Sequence, residues 1–508
     1  MQKLRTRTFA LVAGALGAAL AFAGCAATPS DSEPRTLTLS GPTDVSFDVG
    51  IGLSAYNGPA IQAVYDSLVV LDFTGVREDF LPWIATEWEM SEKRDSATFT
   101  IRDDVDFTDG THLDAEGVVT ALTIIRDGMA EAGSPGATQW EPYTFEVTGE
   151  YTFRVDTDAG TAEAAVSNVG LVSLASPKAM EDRESLAMTP VGSGPYILED
   201  GGTLGVELSF TRNPDYWNPE AFPYDEITVK TFEDNVAALN ALRSGQLDAS
   251  VIDFAAATEA ESAGLALHTG GGRVNTLYFG DRAGEIVPAI GDVRVRKAIN
   301  MAFDRATIAE TLDLGLGNPS SQVFVQGQYE YLDGRDDEYA YDIDAAKELL
   351  AEAGYPDGFD LAIPTWTYVA EVEPVVLQSL ADIGIRATFD NYPDFASYRA
   401  AIDARRYAVM TWPEYTTNWY FDFLRPGGAF TIWGFDPRMD ALIATIDNGS
   451  EDERDVAYQE VGELLLEEAW FAPFSSHPTV WATIPEITVQ LHPSVGWTTL
   501  SEILPVDE

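Results

Sequence analysis

A single cysteine, Cys25, stands among 508 residues, so no internal disulfide can form. A chain of this length must then hold its fold by burial. Its 45% hydrophobic content, with 11% aromatics, is ample for that. The position of the cysteine narrows the possibilities further. Lys3, Arg5 and Arg7 form a positive start, an apolar run from Phe9 to Phe22 follows, and the small residues Ala23 and Gly24 come next. That order is the pattern of a secretory signal, and the run is shorter than the ~20 apolar residues of a membrane-spanning helix. Residues 1–24 are therefore expected to be a signal peptide.

Ala21-Phe22-Ala23-Gly24-Cys25 is similar to a bacterial lipobox, in which the thiol is acylated and the chain is cut just before it. Phe22 stands where an aliphatic residue is usual. The alternative is an ordinary signal whose cysteine is incidental. Acylation at Cys25 would tether the protein to the outer face of the cell membrane, since two or more acyl chains anchor far better than one. Residues 25–35 carry Pro29 and Pro34 and no periodic apolar positions, which predicts a flexible stalk. Length alone leaves room for about three domain-sized units beyond it.

The formal net charge is −52 at pH 7. A field of that sign repels phosphates and anionic headgroups, which excludes nucleic acid as a partner. Signs of an enzyme are missing. The four histidines, His112, His268, His477 and His492, show no metal-ligand spacing, and there is no Gly-x-Ser-x-Gly elbow and no phosphate-binding Gly-x-x-x-x-Gly-Lys-Ser/Thr loop. With 82 acidic residues, a neighbouring pair of carboxylates somewhere is inevitable and indicates nothing about glycosidase chemistry. No catalytic residue, metal site or cofactor is expected.

Strand and helix patterns alternate along the chain. Residues 96–102 and 151–155 alternate apolar and polar positions. Helical periodicity marks 115–127 after Asp114, 234–244 before Gly245, 292–312 after Asp292, a segment starting at Asp344 and stopped by Gly354 and Pro356, and 455–468. In these stripes Val236, Leu239 and Leu242, or Val456, Val461, Leu464 and Leu465, read as core positions. The mixture predicts an α/β fold.

Taken in order, several segments make the chain resemble the dipeptide/oligopeptide family, family 5 of the extracellular solute-binding receptors of ABC importers. They are Val64-Tyr65-Asp66-Ser67-Leu68, Leu81-Pro82-Trp83-Ile84-Ala85, Thr98-Phe99-Thr100-Ile101-Arg102, Gly192-Ser193-Gly194-Pro195-Tyr196, Arg212-Asn213-Pro214-Asp215-Tyr216-Trp217, Val293-Arg294-Val295-Arg296-Lys297 and Ala346-Lys347-Glu348-Leu349-Leu350. The landmarks read as architecture. Gly192 and Gly194 are expected to supply positive φ beside Pro195; Tyr216 and Trp217 are expected to pack a lobe. Arg294 and Arg296 either pair with carboxylates near the helix start or are solvated.

The resemblance implies a two-lobed, periplasmic-binding-protein-like α/β fold with an extra subdomain and two crossover strands as hinge. Lobe I would span 36–270 with an insertion at about 81–189, lobe II 271–478, and 479–508 would return to lobe I. The crossovers are expected near 267–275 and 475–481, although Gly270, Gly271 and Gly272 also fit a plain loop. Such a protein would bind a small solute, a short peptide first of all, and deliver it as a monomer to ABC permease subunits. An oligosaccharide or another non-peptide solute is the alternative within the fold; a secreted hydrolase or a peptide sensor is the alternative outside it.

In peptide-binding members a Gly-Trp pair precedes an Asp that holds the ligand's ammonium group. The matching stretch here is Met410-Thr411-Trp412-Pro413-Glu414-Tyr415, in which Thr411 replaces the glycine and either Glu414 or Tyr415 takes the place of the Asp. Candidate ligand-binding residues are Trp412, Glu414 and Tyr415, with Trp366, Trp419 and Trp433 as further aromatic faces. Tyr56 and Asn57 are the candidates from the first lobe, and Tyr278 follows the first crossover.

Overall fold

The strand Thr36–Gly41 buries Leu37 and Leu39 and turns Thr36, Thr38 and Ser40 the other way, the period-two pattern of a half-buried strand. It runs parallel to Glu226–Thr231, and Leu39 pairs with Ala249 of the next strand, Ala249–Ile252. The computed structural model describes residues 34–506 except 44, 55–56, 75–78, 133, 135–136, 159–161, 367–371, 416–423 and 425–435. In it these strands belong to an eight-stranded sheet ordered 409–415, 266–279, 471–483, 249–252, 36–41, 226–231, 207–212 and 196–198.

Two strands of this sheet, Ala266–Phe279 and Phe471–Thr483, are long and pair antiparallel. At one end Val480 and Ala482 enter a core with Leu239, Leu242 and Leu247. At the other, Leu277, Phe279, Ala472 and Phe474 enter a core with Val295, Ile299, Phe303 and Ile363. Apolar clusters at both ends of one strand pair make two lobes joined by those strands. The α/β, two-lobed architecture expected from the sequence is the one observed.

In the first lobe, a four-stranded sheet (Ala85–Met90, Ser96–Ile101, Thr152–Asp156, Thr144–Gly149) packs Phe99 and Phe153 into the same core as Leu37 and Leu39. Among the described residues it shares that core, and from Arg35 onward the chain forms one compact unit. The second lobe adds the parallel pair Asp360–Trp366 and Arg386–Tyr392. Among the described residues no helix is long and apolar enough to cross a membrane.

Several elements differ from the sequence reading. Residues 292–312 form two helices, Val293–Met301 and Arg305–Thr311, because Asp304 accepts from the Thr307 N–H and caps a new start. The helix expected from Asp344 begins at Ile343 under Asp342, which accepts from the Ala345 N–H. The last long helix, Glu451–Glu467, starts earlier than expected, at the reciprocal cap of Ser450 and Glu453. Val236 and Val456 are 64% and 57% exposed and lie outside the buried stripes.

The glycines act by closeness. Neither Gly192 nor Gly194 has positive φ. A Cβ on Gly192 would run into the Val64 carbonyl, and one on Gly194 into the Val64–Tyr65 backbone. Gly271 lies inside a crossover strand, beside a bulge between Gly270 and Gly272, and a Cβ there would meet the Ser494 carbonyl. That glycine run lets the C-terminal segment lie directly on the strand.

Candidate functional site

Where the parallel strands Thr36–Gly41 and Glu226–Thr231 end, their carboxyl edges open into a cavity of about 660 Å³. The carboxyl end of parallel strands is where α/β sheets form crevices, because the following loops turn away to start helices. Here the loops lead to Pro59–Val64 and to Asn235–Arg243, the latter capped by Asp234 through the Ala237 N–H at 2.8 Å. The cavity is lined by Asn57, Gln62, Asp234, Thr479, Trp481 and Trp497, among others. Gln62 ties the first helix to the C-terminal segment: its Oε1 accepts from the Leu500 N–H at 2.8 Å and its Nε2 donates to the Thr498 carbonyl. Asn57 accepts from the Ser54 N–H at 2.6 Å. Among the described residues, no arginine, lysine or histidine lines the cavity.

The second lobe contributes an aromatic wall. Trp366 ends the strand Asp360–Trp366, Phe395 opens the helix Phe395–Asp403, and Trp412 lies in Val409–Tyr415. Their rings meet in sequence: Trp366 to Phe395 at 5.2 Å and Phe395 to Trp412 at 6.1 Å between centroids. The wall is held from behind by Tyr398, whose hydroxyl donates to the Thr411 carbonyl at 2.7 Å, and by the Thr411 hydroxyl, which donates to the Pro364 carbonyl at 3.1 Å. Trp366 and Trp412 are half-buried, whereas Phe395 is 41% exposed.

The strand Val409–Tyr415 is the outermost of the eight and pairs with Ala266–Phe279, setting Trp412 opposite Thr276, Glu414 opposite Val274 and Tyr415 opposite Arg273. The side chains of Glu414 and Tyr415 lie outside the described structure, as do Cys25, Tyr56, Trp419 and Trp433.

Tyr278 has a different place from the cleft position expected. It is 1% exposed, its ring lies 5.0 Å from Phe471, and its hydroxyl accepts from Arg282 at 3.0 Å. Alternation along the strand turns it into the second lobe's core with Met410. The crossover strands instead hold a buried polar chain. Arg273 donates to His477 Nδ1 at 2.8 Å, and His477 Nε2 faces Asp313 at 2.8 Å. Because a guanidinium only donates, Nδ1 accepts and Nε2 carries the proton.

Thus the structure brings Trp366 and Trp412 together through Phe395, a residue the sequence reading missed, and sets Asn57 in a first-lobe cavity among unforeseen neighbours. One signal was legible. Phe232 to Asn235 lie between a strand and a capped helix, the position that faces a crevice in a parallel sheet.

Residues 79–440 match the family described as bacterial extracellular solute-binding proteins, family 5. Heme-binding protein A of Haemophilus influenzae is 25% identical over 397 residues, 71% of this chain and 70% of that protein. Glutathione-binding protein GsiB of Salmonella paratyphi A is 26% identical over 328 residues, and the match spans 60% of this chain and 59% of that one. The solved structure of HbpA2 from Haemophilus parasuis superposes with a TM-score of 0.80, at 20% identity, over 93% of this chain and all of the other. At that identity the likeness concerns the fold.

Proposed function

Since the chain belongs to the bacterial extracellular solute-binding proteins of family 5, and so serves an ABC transporter by binding rather than by catalysis, we propose that its solute is a short peptide. The peptide lies between the first-lobe cavity and the aromatic wall of the second lobe, and the two lobes close over it by bending at the paired strands 266–279 and 471–483. The observation that carries the reading is the wall Trp366–Phe395–Trp412 set beside an outermost strand. An extended peptide suits the edge of such a strand, and flat rings suit its side chains. Glu414 takes the ammonium group in place of the family's aspartate. A relative named for glutathione, itself a small peptide, supports this ligand class.

Acylated Cys25 anchors the protein on the extracytoplasmic face of the membrane, where it meets the permease as a monomer. A second reading, an oligosaccharide or other non-peptide solute, is favoured by the same aromatic wall and by Thr411 in place of the glycine. A thermal-shift panel of di- to pentapeptides against oligosaccharides separates the two, because a ligand that binds only the native state raises its melting temperature. Shifts by peptides support the first reading; shifts by sugars alone overturn it.

A further inference from the structure

Away from the crossover strands, one carboxylate is shared by the two lobes. Glu163 lies in the first turn of the helix Ala162–Gly170, in the four-stranded part of the first lobe. Its Oε2 accepts from Arg94 Nη2 of the same lobe at 2.7 Å, and also from Nη2 of Arg454, which sits on the second-lobe helix Glu451–Glu467. Both arginine side chains are largely buried, at 13% and 12% exposure. A second contact lies alongside. The Tyr329 hydroxyl donates to Asp79 at 3.2 Å, from the second lobe to the first. Tyr329 is fixed to the same helix by stacking on Tyr458 at 5.0 Å and by Gln459, which donates to the Tyr329 and Tyr331 carbonyls.

We infer that Glu163 is a positioning residue for closure: bridged to Arg94 and Arg454, it holds the lobes together without touching the solute. Arg94 fixes the carboxylate in the first lobe whatever the second lobe does, so the bond to Arg454 is the part that opening breaks. A contact made only in the closed form raises affinity for every solute by the same factor, since it raises the fraction of the protein that is competent to bind tightly. An exposed ion pair contributes little, but partial burial of both guanidiniums and sharing of one oxygen strengthen this one. The inference rests on the reading that the lobes close over a solute; its main test needs no ligand.

Electrostatics makes the test one-sided. The chain carries a net charge of −52, so removing one negative charge should by itself draw two acidic lobes together. Glu163→Gln is nonetheless expected to enlarge the radius of gyration of the ligand-free protein at low salt, read by small-angle X-ray scattering. Glu150→Gln, which removes an exposed glutamate elsewhere in the first lobe, should not. Tyr329→Phe keeps the stacking, removes the bond to Asp79, and should enlarge the protein in the same direction. With any solute that shifts the melt, Glu163→Gln should weaken binding about five-fold, equally across solutes, while Arg454→Lys retains most of the affinity. A radius unchanged in both Glu163→Gln and Tyr329→Phe overturns the inference. If no solute in the panel binds, the proposed function fails, and the scattering comparison still decides the role of Glu163.

Discussion

The hydroxyl of Tyr216 donates to the carboxylate of Asp66 at 2.9 Å, across 150 positions of sequence. Trp83 Nε1 donates to the same group at 2.8 Å and the Ser193 hydroxyl at 2.9 Å. Burial pushes the Asp66 carboxyl above its usual range, while these donors pull it back toward the charged form. The segments that carry the family resemblance, around residues 66, 83, 193 and 216, therefore meet at one buried acceptor. They mark the fold, not the ligand.

Asp66→Ala leaves the donors of Tyr216, Ser193, Trp83 and Trp217 facing an apolar methyl group. Unmade buried hydrogen bonds cost 1–3 kcal/mol apiece, so a loss of about 4 kcal/mol is expected, read as a drop in urea midpoint. A loss below about 1 kcal/mol would mean that water replaces the carboxylate.

Arg305 is buried and donates to the carbonyls of Pro473, Asn300 and Tyr339 and to Asn300 Oδ1. Desolvation pushes its guanidinium down to about 10. The fork reaches four acceptors that an ammonium on a flexible stem cannot reach together. Arg305→Lys should lose roughly 3 kcal/mol in chemical denaturation. A variant as stable as the parent would show that the fork's geometry is dispensable.

Glu330 is 8% exposed, and burial pushes its carboxyl up to about 7. The raised value means that the folded state holds a proton which the unfolded state releases from about pH 4.5. This group's contribution to stability is thus complete below that pH and is lost as pH rises through about 7. Glu330→Gln should be more stable than the parent at pH 8 by an amount on the order of 3 kcal/mol, a gap that closes by pH 4. Comparison of the two melting curves against pH isolates this group from the other carboxylates; a constant gap refutes the assignment.

Phe395 is exposed at 41% between two tryptophans. Phe395→Ala should weaken solute binding about ten-fold by calorimetry, as expected on losing an aromatic anchor of about 1.4 kcal/mol, with little change in melting temperature. Glu414→Gln should weaken peptides with a free amino terminus and spare N-acetylated ones. Equal binding of both by the variant and the parent removes Glu414 from the site.

Local signals were legible where a residue's neighbours in sequence decide its structure. Asp292 as a cap, Gly245 with φ of 71°, and the alternation of 96–101 follow from backbone sterics and short-range hydrogen bonding. The helix expected over 292–312 broke because the capping carboxylate of Asp304 competes with an apolar stripe that would suit one continuous helix. Val456 looked like core by spacing and is exposed, since spacing gives a face but not what lies opposite it.

The sequence by itself determined the architecture. An ordered set of segments, each a turn, a cap or an apolar pattern, can pack in few ways, and two lobes on a shared sheet is one of them. The tertiary structure alone decided which side chains face each other: Phe395 between Trp366 and Trp412, Tyr278 in the core rather than the cleft, Glu163 against Arg454. The reason is physical. A period of two or 3.6 assigns a residue to a side of its own element, whereas a site is made where sides of distant elements converge, and that convergence is set by the packing of the cores beneath them.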